Sequence, residues 1–516
     1  MNFTKSFTLW LTLLLLAVTS FVLWKNRNSE MHIVQLGIVG HWRTLHPGLQ
    51  HTAVGDMVLS NQFEALVGIS DSGIVGPGAA KSWQISEDFR TITFNIDTSR
   101  KYSDGSQLEA SDFKRSWEQS LQMESRSANS SALDVLYALE GFDEFEKTKQ
   151  LSGVKAISKD LLELRFRSPF RLALTHLSGD RFAAFKESHG KYFGTGPYVI
   201  RALGENELEF TPNTFHTSSS NHPHSIRLRS IEPNEIIASL TGGAADAVVQ
   251  TRGESIPNEY GAAKNLSVFT GTEVAHTTAL VNGTPGRLLS DRRFRLALQT
   301  VLLQICNERP DAIGNSEFLR IDPQSFLPQQ PGRLSETETA DLVQLGSAFI
   351  NELKERTKVR PLHIHYIHSA PRTAWIIERL KSHGIEISTS SGPLDNKSHL
   401  EFFYKTPHFD LLFASFSVVQ GDPDGIYHKL GKHGAILTPV TYREEVGRLL
   451  EEGRQIIGQE KLDEHYKKVS RAILTEVPYI HLGFSKSVTL VRNDRVDVDN
   501  VALRRNEGHF GIFKLK

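Results

Sequence analysis

A single long apolar run sets the terms for the rest of the chain. From Leu9 to Trp24 the sequence reads LWLTLLLLAVTSFVLW, with Lys5 before it and Lys25 and Arg27 after it. A core helix would show polar positions every few residues, and this run has only Thr12, Thr19 and Ser20. It lies at the border between a secretory core and a spanning helix, which needs about 17–25 apolar residues. The small-residue pairs Ala17/Thr19 and Val18/Ser20 are poor cleavage signals, because apolar Phe21 to Trp24 follow directly. Residues 1–28 are therefore read as a signal anchor or signal peptide, and the length of the run favours an uncleaved anchor. No comparable run follows. The rest of the 516-residue chain is expected to be a water-soluble body on one side of a membrane.

That body is long enough for about three domains. With 58 Lys plus Arg against 59 Asp plus Glu, the chain offers no bulk charge for nucleic acid. Its one cysteine, Cys306, excludes an internal disulfide, a CxxC pair and a multi-cysteine zinc site, and reads as a small buried apolar residue. None lies near the N-terminus, which excludes a lipoprotein anchor.

Periodicity predicts a strand at His32 to Val39, a short helix at Val58 to Leu66 and a hairpin over Trp83 to Ile96. Ser111 reads as the cap of a helix whose Phe113, Trp117 and Leu121 fall on one face. Strands are expected at Leu162 to Phe166 and Ser225 to Ile231, and a helix at Ile236 to Leu240, stopped by Gly242-Gly243. The last third alternates: strand Leu362 to Ile367, helix Thr373 to His383, strands Ile385 to Ser388 and Phe409 to Phe416. Helices Arg443 to Ile457 and Glu460 to Leu474 precede a strand at Tyr479 to Phe484. Such alternation implies a largely parallel α/β sheet.

Catalytic signatures are missing. There is no HExxH and no GxSxG. Gly425 to His433 imitates a phosphate loop but has five residues between its glycines, and His433 stands where Ser or Thr should be. No nucleophile–base pair can be assembled, so the chain is read as a non-enzyme without cofactor. His363 and His365 of HIHYIH would share a strand face ~6.5–7 Å apart, a spacing that permits metal sharing. Neutral hydrogen-bonded histidines on a half-buried strand are the plainer reading, with His368 on the other face. Asp422-Pro423-Asp424 reads as a turn.

Several stretches, taken in order, resemble a known family. They are Thr44-Leu45-His46-Pro47, Phe63-Glu64-Ala65-Leu66 and, above all, PGAAKSWQISEDFRTITFNIDTSRKYSDGSQLEASDFKRSW from Pro77 to Trp117. Gly194-Thr195-Gly196-Pro197-Tyr198, Asn282 with Asp291 to Ala297, Phe326-Leu327-Pro328 and Gly421 to Asp424 follow. The ordered set resembles the family 5 extracytoplasmic solute-binding proteins of bacterial ABC importers, which take oligopeptides, dipeptides or nickel.

The resemblance implies an α/β, periplasmic-binding-protein-like (class II) fold of two lobes with a third, smaller domain, after the N-terminal hydrophobic helix. Residues 29–60, 194–275 and 475–516 would form one lobe, 61–193 the small domain and 276–474 the other lobe. Ligand would be a peptide or related small solute held in the interlobe cleft. The partners would be an ABC transporter permease and, through the first helix, the inner membrane; the receptor would be a periplasmic or extracytoplasmic monomer. The implied ligand contacts are Ser415, Phe416, Ser417, Val419, Asp422 and Arg372. The family's peptide binders carry an aspartate for the ligand amine where this chain has Val419. A buried unpaired ammonium would cost several kcal/mol, so Asp422 substitutes, or the ligand lacks a free amine, or peptide affinity has been lost. The last case makes the chain an envelope sensor or scaffold. A metal or metal-chelate receptor using the histidine-rich strand is the remaining alternative.

Overall fold

A computed structural model describes residues 33–516, apart from 51, 70–73, 128–133, 218–224, 253–255, 257–259, 262–264, 310, 312–314, 367–370, 392–407, 418–422, 433–437, 457 and 505–508. The apolar run at Leu9 to Trp24 lies outside the described residues. Among the described residues, no helix is long and apolar enough to cross a membrane.

The molecule is organised by one large mixed sheet. At one end, strand Ile33–Val39 lies parallel between Ser225–Ile231 and Ala247–Arg252. Val34, Leu36 and Ile38 alternate into a core shared with Leu208, Phe210, Ile226 and Leu228. The antiparallel hairpin Tyr198–Gly204/Glu207–Pro212 extends this end. At the other end, Leu362–Tyr366 pairs in parallel with Ile387–Ser391 and with Leu411–Ser417. Helix Arg292–Glu308, capped by Asp291 through the Arg293 amide, packs into the core on this half.

Two long antiparallel strands join the halves. Leu266–Val281 has 16 residues and Tyr479–Arg492 has 14, both beyond the usual strand length of about 3–10. Tyr479–Arg492 pairs with the first half, Ala247 with Val491. The other meets the second half, Val281 with Leu411. The register between them slips at Thr270/Glu273, Glu273/Ala275 and Thr277/Thr278. Such bulges bend a strand and raise its twist. At Gly271 a Cβ would fall 2.2 Å from the Ser487 hydroxyl, so a side chain there would force that hydroxyl to rotate away.

A separate four-stranded antiparallel sheet runs in the order Ala80–Ile85, Thr91–Ile96, Leu161–Arg165, Val154–Ala156. Helix Ala110–Ser127 covers it with Phe113, Trp117 and Leu121, and the Trp117 indole donates to the Phe182 carbonyl at 2.8 Å. This unit has its own hydrophobic core.

The structure corrects four local readings. The helix expected at Val58 to Leu66 is Ala53–Leu59, because Thr52 caps it by accepting from the Gly55 amide at 3.1 Å. Ser111 lies inside its helix; the Asp112 carboxylate instead accepts from the Glu109 amide at 2.9 Å, half of a capping box. The strand expected to stop at Phe484 continues to Arg492, and sequence analysis assigned no strand to 266–281. Both strands carry polar residues where they cross between halves: Ser485, Lys486 and Ser487 on one, Thr270 to Glu273 on the other. That interruption hides them from a hydrophobic pattern. These antiparallel strands also make the sheet mixed rather than largely parallel.

Candidate functional site: the crevice between the halves

Open α/β sheets bind ligands outside the carboxyl ends of their strands. In the first half, Ala247–Arg252 ends at Arg252, paired with Ser487. In the second, Leu411–Ser417 ends at Ser417, paired with Ala275, which in turn faces Ser485. The two sets of carboxyl ends therefore point at each other across the same two strands. They meet where the bulges fall and where the side chains turn polar. By that rule the ligand crevice is expected here, over 271–276 and 484–487.

Three of the expected ligand contacts belong to this rim. Ser415, Phe416 and Ser417 are the last three residues of their strand, in register with Thr277, His276 and Ala275. Val419 and Asp422 lie outside the described residues. Arg372 sits half-buried in the first turn of helix Pro371–Ser382. Its charge acts on the Cys306 thiol, which burial nonetheless pushes up to about 12, so Cys306 is an inert core group. His363 and His365 do share a strand side. Both face serines: His363 meets Ser388 and Ser390, and His365 meets Ser390, each at 2.9 Å. His368 lies outside the described residues. Among the described residues no group of three metal-binding side chains forms.

Sequence reasoning missed the polar groups on the crevice floor. His276 and His481 are almost fully buried, 5% and 2% exposed, with His276 Nδ1 2.9 Å from His481 Nε2. His481 Nδ1 lies 2.6 Å from the Asp322 carbonyl. Burial holds both imidazoles below their ordinary range, His481 at about 4, and the Lys429 charge pushes in the same direction. Lys429, 8% exposed, is lowered by burial to about 7. Beside them Arg320 binds Glu273 at 2.8 Å and also Asp322, and its guanidinium lies 5.0 Å above the Phe484 ring. Histidines inside otherwise apolar strands were the available signal.

A second feature bridges the small unit and the second half. Asp424, fully buried, accepts from Arg454 Nε at 2.9 Å and from the Tyr466 hydroxyl at 3.3 Å. His176 of the small unit lies 3.3 Å from the same carboxylate and is itself buried. The Arg454 guanidinium is sandwiched between Tyr427 at 3.4 Å and Phe170 of the small unit at 4.9 Å. Arg171 Nη1 donates to the Ile456 carbonyl at 2.5 Å. This clasp lies away from the two long strands in sequence and uses different elements. Asp424 thus has a partnered structural role beyond shaping a turn.

Comparison with known proteins agrees with this architecture. Residues 75–302 match the family described as bacterial extracellular solute-binding proteins, family 5 Middle. The oligopeptide-binding protein OppA of Bacillus subtilis (strain 168) is 29% identical over 126 residues, 24% of this chain and 23% of that protein. The matched stretch therefore spans less than a quarter of that relative's length. The structure of the Escherichia coli murein tripeptide binding protein MppA superposes with a TM-score of 0.76 at 16% identity, covering 94% of this chain and 98% of that one. Burkholderia pseudomallei OppA gives a TM-score of 0.78 at 14% identity, covering 94% and 99%. These likenesses show the fold.

Proposed function

We propose that this chain is a family 5 bacterial extracellular solute-binding protein, which captures a peptide or similar small solute in its crevice and hands it to an ABC importer. Relatives of this family are binding proteins rather than enzymes, and they work outside the cytoplasm. The observation that carries the reading is the meeting of two sets of strand carboxyl ends over two shared, bulged strands. That arrangement supplies a ligand site and a hinge at one place.

In this reading residues 29–60, 194–275 and 475–516 move as one lobe, 61–193 as the small domain and 276–474 as the second lobe. The boundary at 275/276 falls within the strand Leu266–Val281, beside its bulges, as a hinge requires. Ser415, Phe416 and Ser417 end the second lobe's strand at the rim, and Val419, Asp422 and Arg372 join them as ligand contacts. The permease reads the closed form. The apolar run at 9–24 tethers the receptor to the cytoplasmic membrane and raises its effective concentration there.

The test is calorimetric titration of the full-length chain with pooled tri- and tetrapeptides, with small-angle scattering on the same samples. The reading expects saturable binding and a fall in radius of gyration. Binding without compaction contradicts the hinge, and neither binding nor compaction contradicts solute capture.

A further inference from the structure

The rim of the first half carries chemistry of its own. Ile33–Val39 and Ser225–Ile231 are neighbouring parallel strands that end side by side, Val39 level with Ile231. The chain leaves them toward opposite faces of the sheet. After Val39 it runs to helix Ala53–Leu59, whose Val58 joins Val34, Leu36, Ala247 and Val249 in one core. After Ile231 it runs to helix Ile236–Thr241, whose Ile236 and Leu240 join Val248 in another. Ala247, Val248 and Val249 are successive residues of one strand, so the two cores lie on opposite faces. Open α/β sheets take their ligands at such a switch point, outside the carboxyl ends of the strands. His41 follows the first strand there, and Glu232 the second. The next strand over, Ala247–Arg252, ends against Ser487, so the pair stands two strand spacings, ~10 Å, from that side of the crevice.

Local hydrogen bonds decide what this pair presents. Gly40, at φ +103°, turns the chain so that His41 reaches across to the second strand. The Ser230 hydroxyl has one proton and donates it to the Gly40 carbonyl at 2.7 Å. In the 3.0 Å contact between Ser230 Oγ and His41 Nδ1 the imidazole is therefore the donor. In the neutral ring this leaves Nε2 as an acceptor, and it faces Glu232 Oε1 at 4.0 Å. Two acceptors thus face each other across a gap too wide for a hydrogen bond. Glu232 also accepts from the Glu235 amide, and the Glu235 carboxylate accepts from the Glu232 amide at 2.8 Å. That reciprocal pair fixes the Glu232 side chain and brings a second carboxylate to the same turn. The arginines of the preceding strand are engaged elsewhere: Arg227 and Arg229 pair with Glu207 at 3.3 and 3.8 Å. Among the described residues no lysine or arginine pairs with Glu232. The His41 and Glu232 side chains are 52% and 61% exposed, open to a ligand entering the crevice.

We propose that His41 and Glu232 bind a cationic nitrogen of the ligand, which donates one hydrogen bond to His41 Nε2 and another to the Glu232 carboxylate. This deepens the solute-capture reading and rests on it for the presence of a ligand in the crevice. An ammonium or guanidinium carries several N–H donors and no acceptor, so it satisfies both facing acceptors at once. The carboxylate supplies the charge, and the imidazole, anchored through Ser230, supplies the position. The pair belongs to the first half, whereas the Ser415 to Ser417 rim belongs to the second, so a ligand touching both ties the halves together. Closure over the pair excludes water and strengthens the attraction between cation and carboxylate. Two sources share this chemistry, the α-amine of a peptide and a basic side chain, and the experiment separates them.

The experiment is calorimetric titration of the full-length chain with three peptide pools. The first holds tri- and tetrapeptides with free amines and no basic residue. The second is the same pool N-acetylated, and the third is an N-acetylated pool in which every peptide carries one lysine. We expect one or both cationic pools to bind at least about tenfold tighter than the second pool. Preference for the first pool assigns the site to the α-amine, and preference for the third to a basic side chain. Glu232→Gln keeps an acceptor for the Glu235 amide and should erase the preference with the melting temperature unchanged. His41→Phe keeps a ring but loses the acceptor; it should reduce the preference and serves if the Glu232 variant misfolds. Three pools that bind the parent with equal affinity overturn the cation site while leaving solute capture standing. A preference that survives both substitutions overturns it too, since the cation then binds elsewhere. Zinc binding that both substitutions abolish, with equal affinity for the three pools, makes the pair a metal site and overturns the ammonium. No binding by any pool overturns the site and peptide capture together.

Discussion

His46 shows how one side chain can work against its own fold. It is buried edge-on to Phe185 and Tyr192, at 4.8 and 5.0 Å between ring centroids. Neither ring nitrogen finds a hydrogen-bond partner among the described residues. Burial accordingly pushes its pKa down to about 4. Between the ordinary 6.5 and 4 the unfolded chain binds the extra proton, so this contribution to stability is intact above pH 6.5 and is lost as pH falls towards 4. A depression of that size corresponds to on the order of 3 kcal/mol. His46→Leu should raise stability at pH 7 by about 1 kcal/mol, by removing unsatisfied polar atoms, and flatten the acid limb of the stability curve. Denaturant unfolding at pH 7 and pH 5 checks both; a variant equally or more acid-sensitive than the parent contradicts the assignment. The sequence quotes His46 within Thr44-Leu45-His46-Pro47 but says nothing of its surroundings, since Phe185 and Tyr192 reach it only through the tertiary fold. Ser415, Phe416 and Ser417 were named only through the family resemblance, and they are the last three residues of their strand. His276 and His481 were not legible, being paired across 205 residues of chain.

At the scale of elements, what could be read and what could not divide at the crevice. Strands with regularly spaced buried positions, such as Ser225–Ile231 and Leu362–Tyr366, stand where their alternation puts them. The two long strands did not announce themselves, since each is apolar at both ends and polar where it crosses between halves. The clasp was also invisible: Asp424 and Arg454 are 30 residues apart and His176 comes from another unit. Because it ties the small unit to the second half, the clasp should favour the closed arrangement. Asp424→Asn leaves Arg454 and His176 without their carboxylate. Loss of one partner from a buried pair costs about 3–5 kcal/mol, here drawn from closure rather than from either core. Ligand-free small-angle scattering should show a larger radius of gyration for Asp424→Asn and for His176→Ala than for the parent chain. Unchanged radii in both variants would show that the contact does not span parts that move.

The whole molecule reads as two parallel-stranded halves sharing a pair of bent strands, with a smaller sheet-and-helix unit clasped to one of them. Its fold was within reach of the sequence because the family's short motifs keep their order over most of the chain. What fills the crevice was not, because specificity depends on a few side chains brought together by the long strands. The central claim is that this crevice holds a small solute. Native mass spectrometry of the full-length chain, exported by its host and purified gently, tests it most directly. The account predicts a bound mass that is released on activation and fragments as a peptide. A bare protein mass that persists after incubation with peptide mixtures would contradict it.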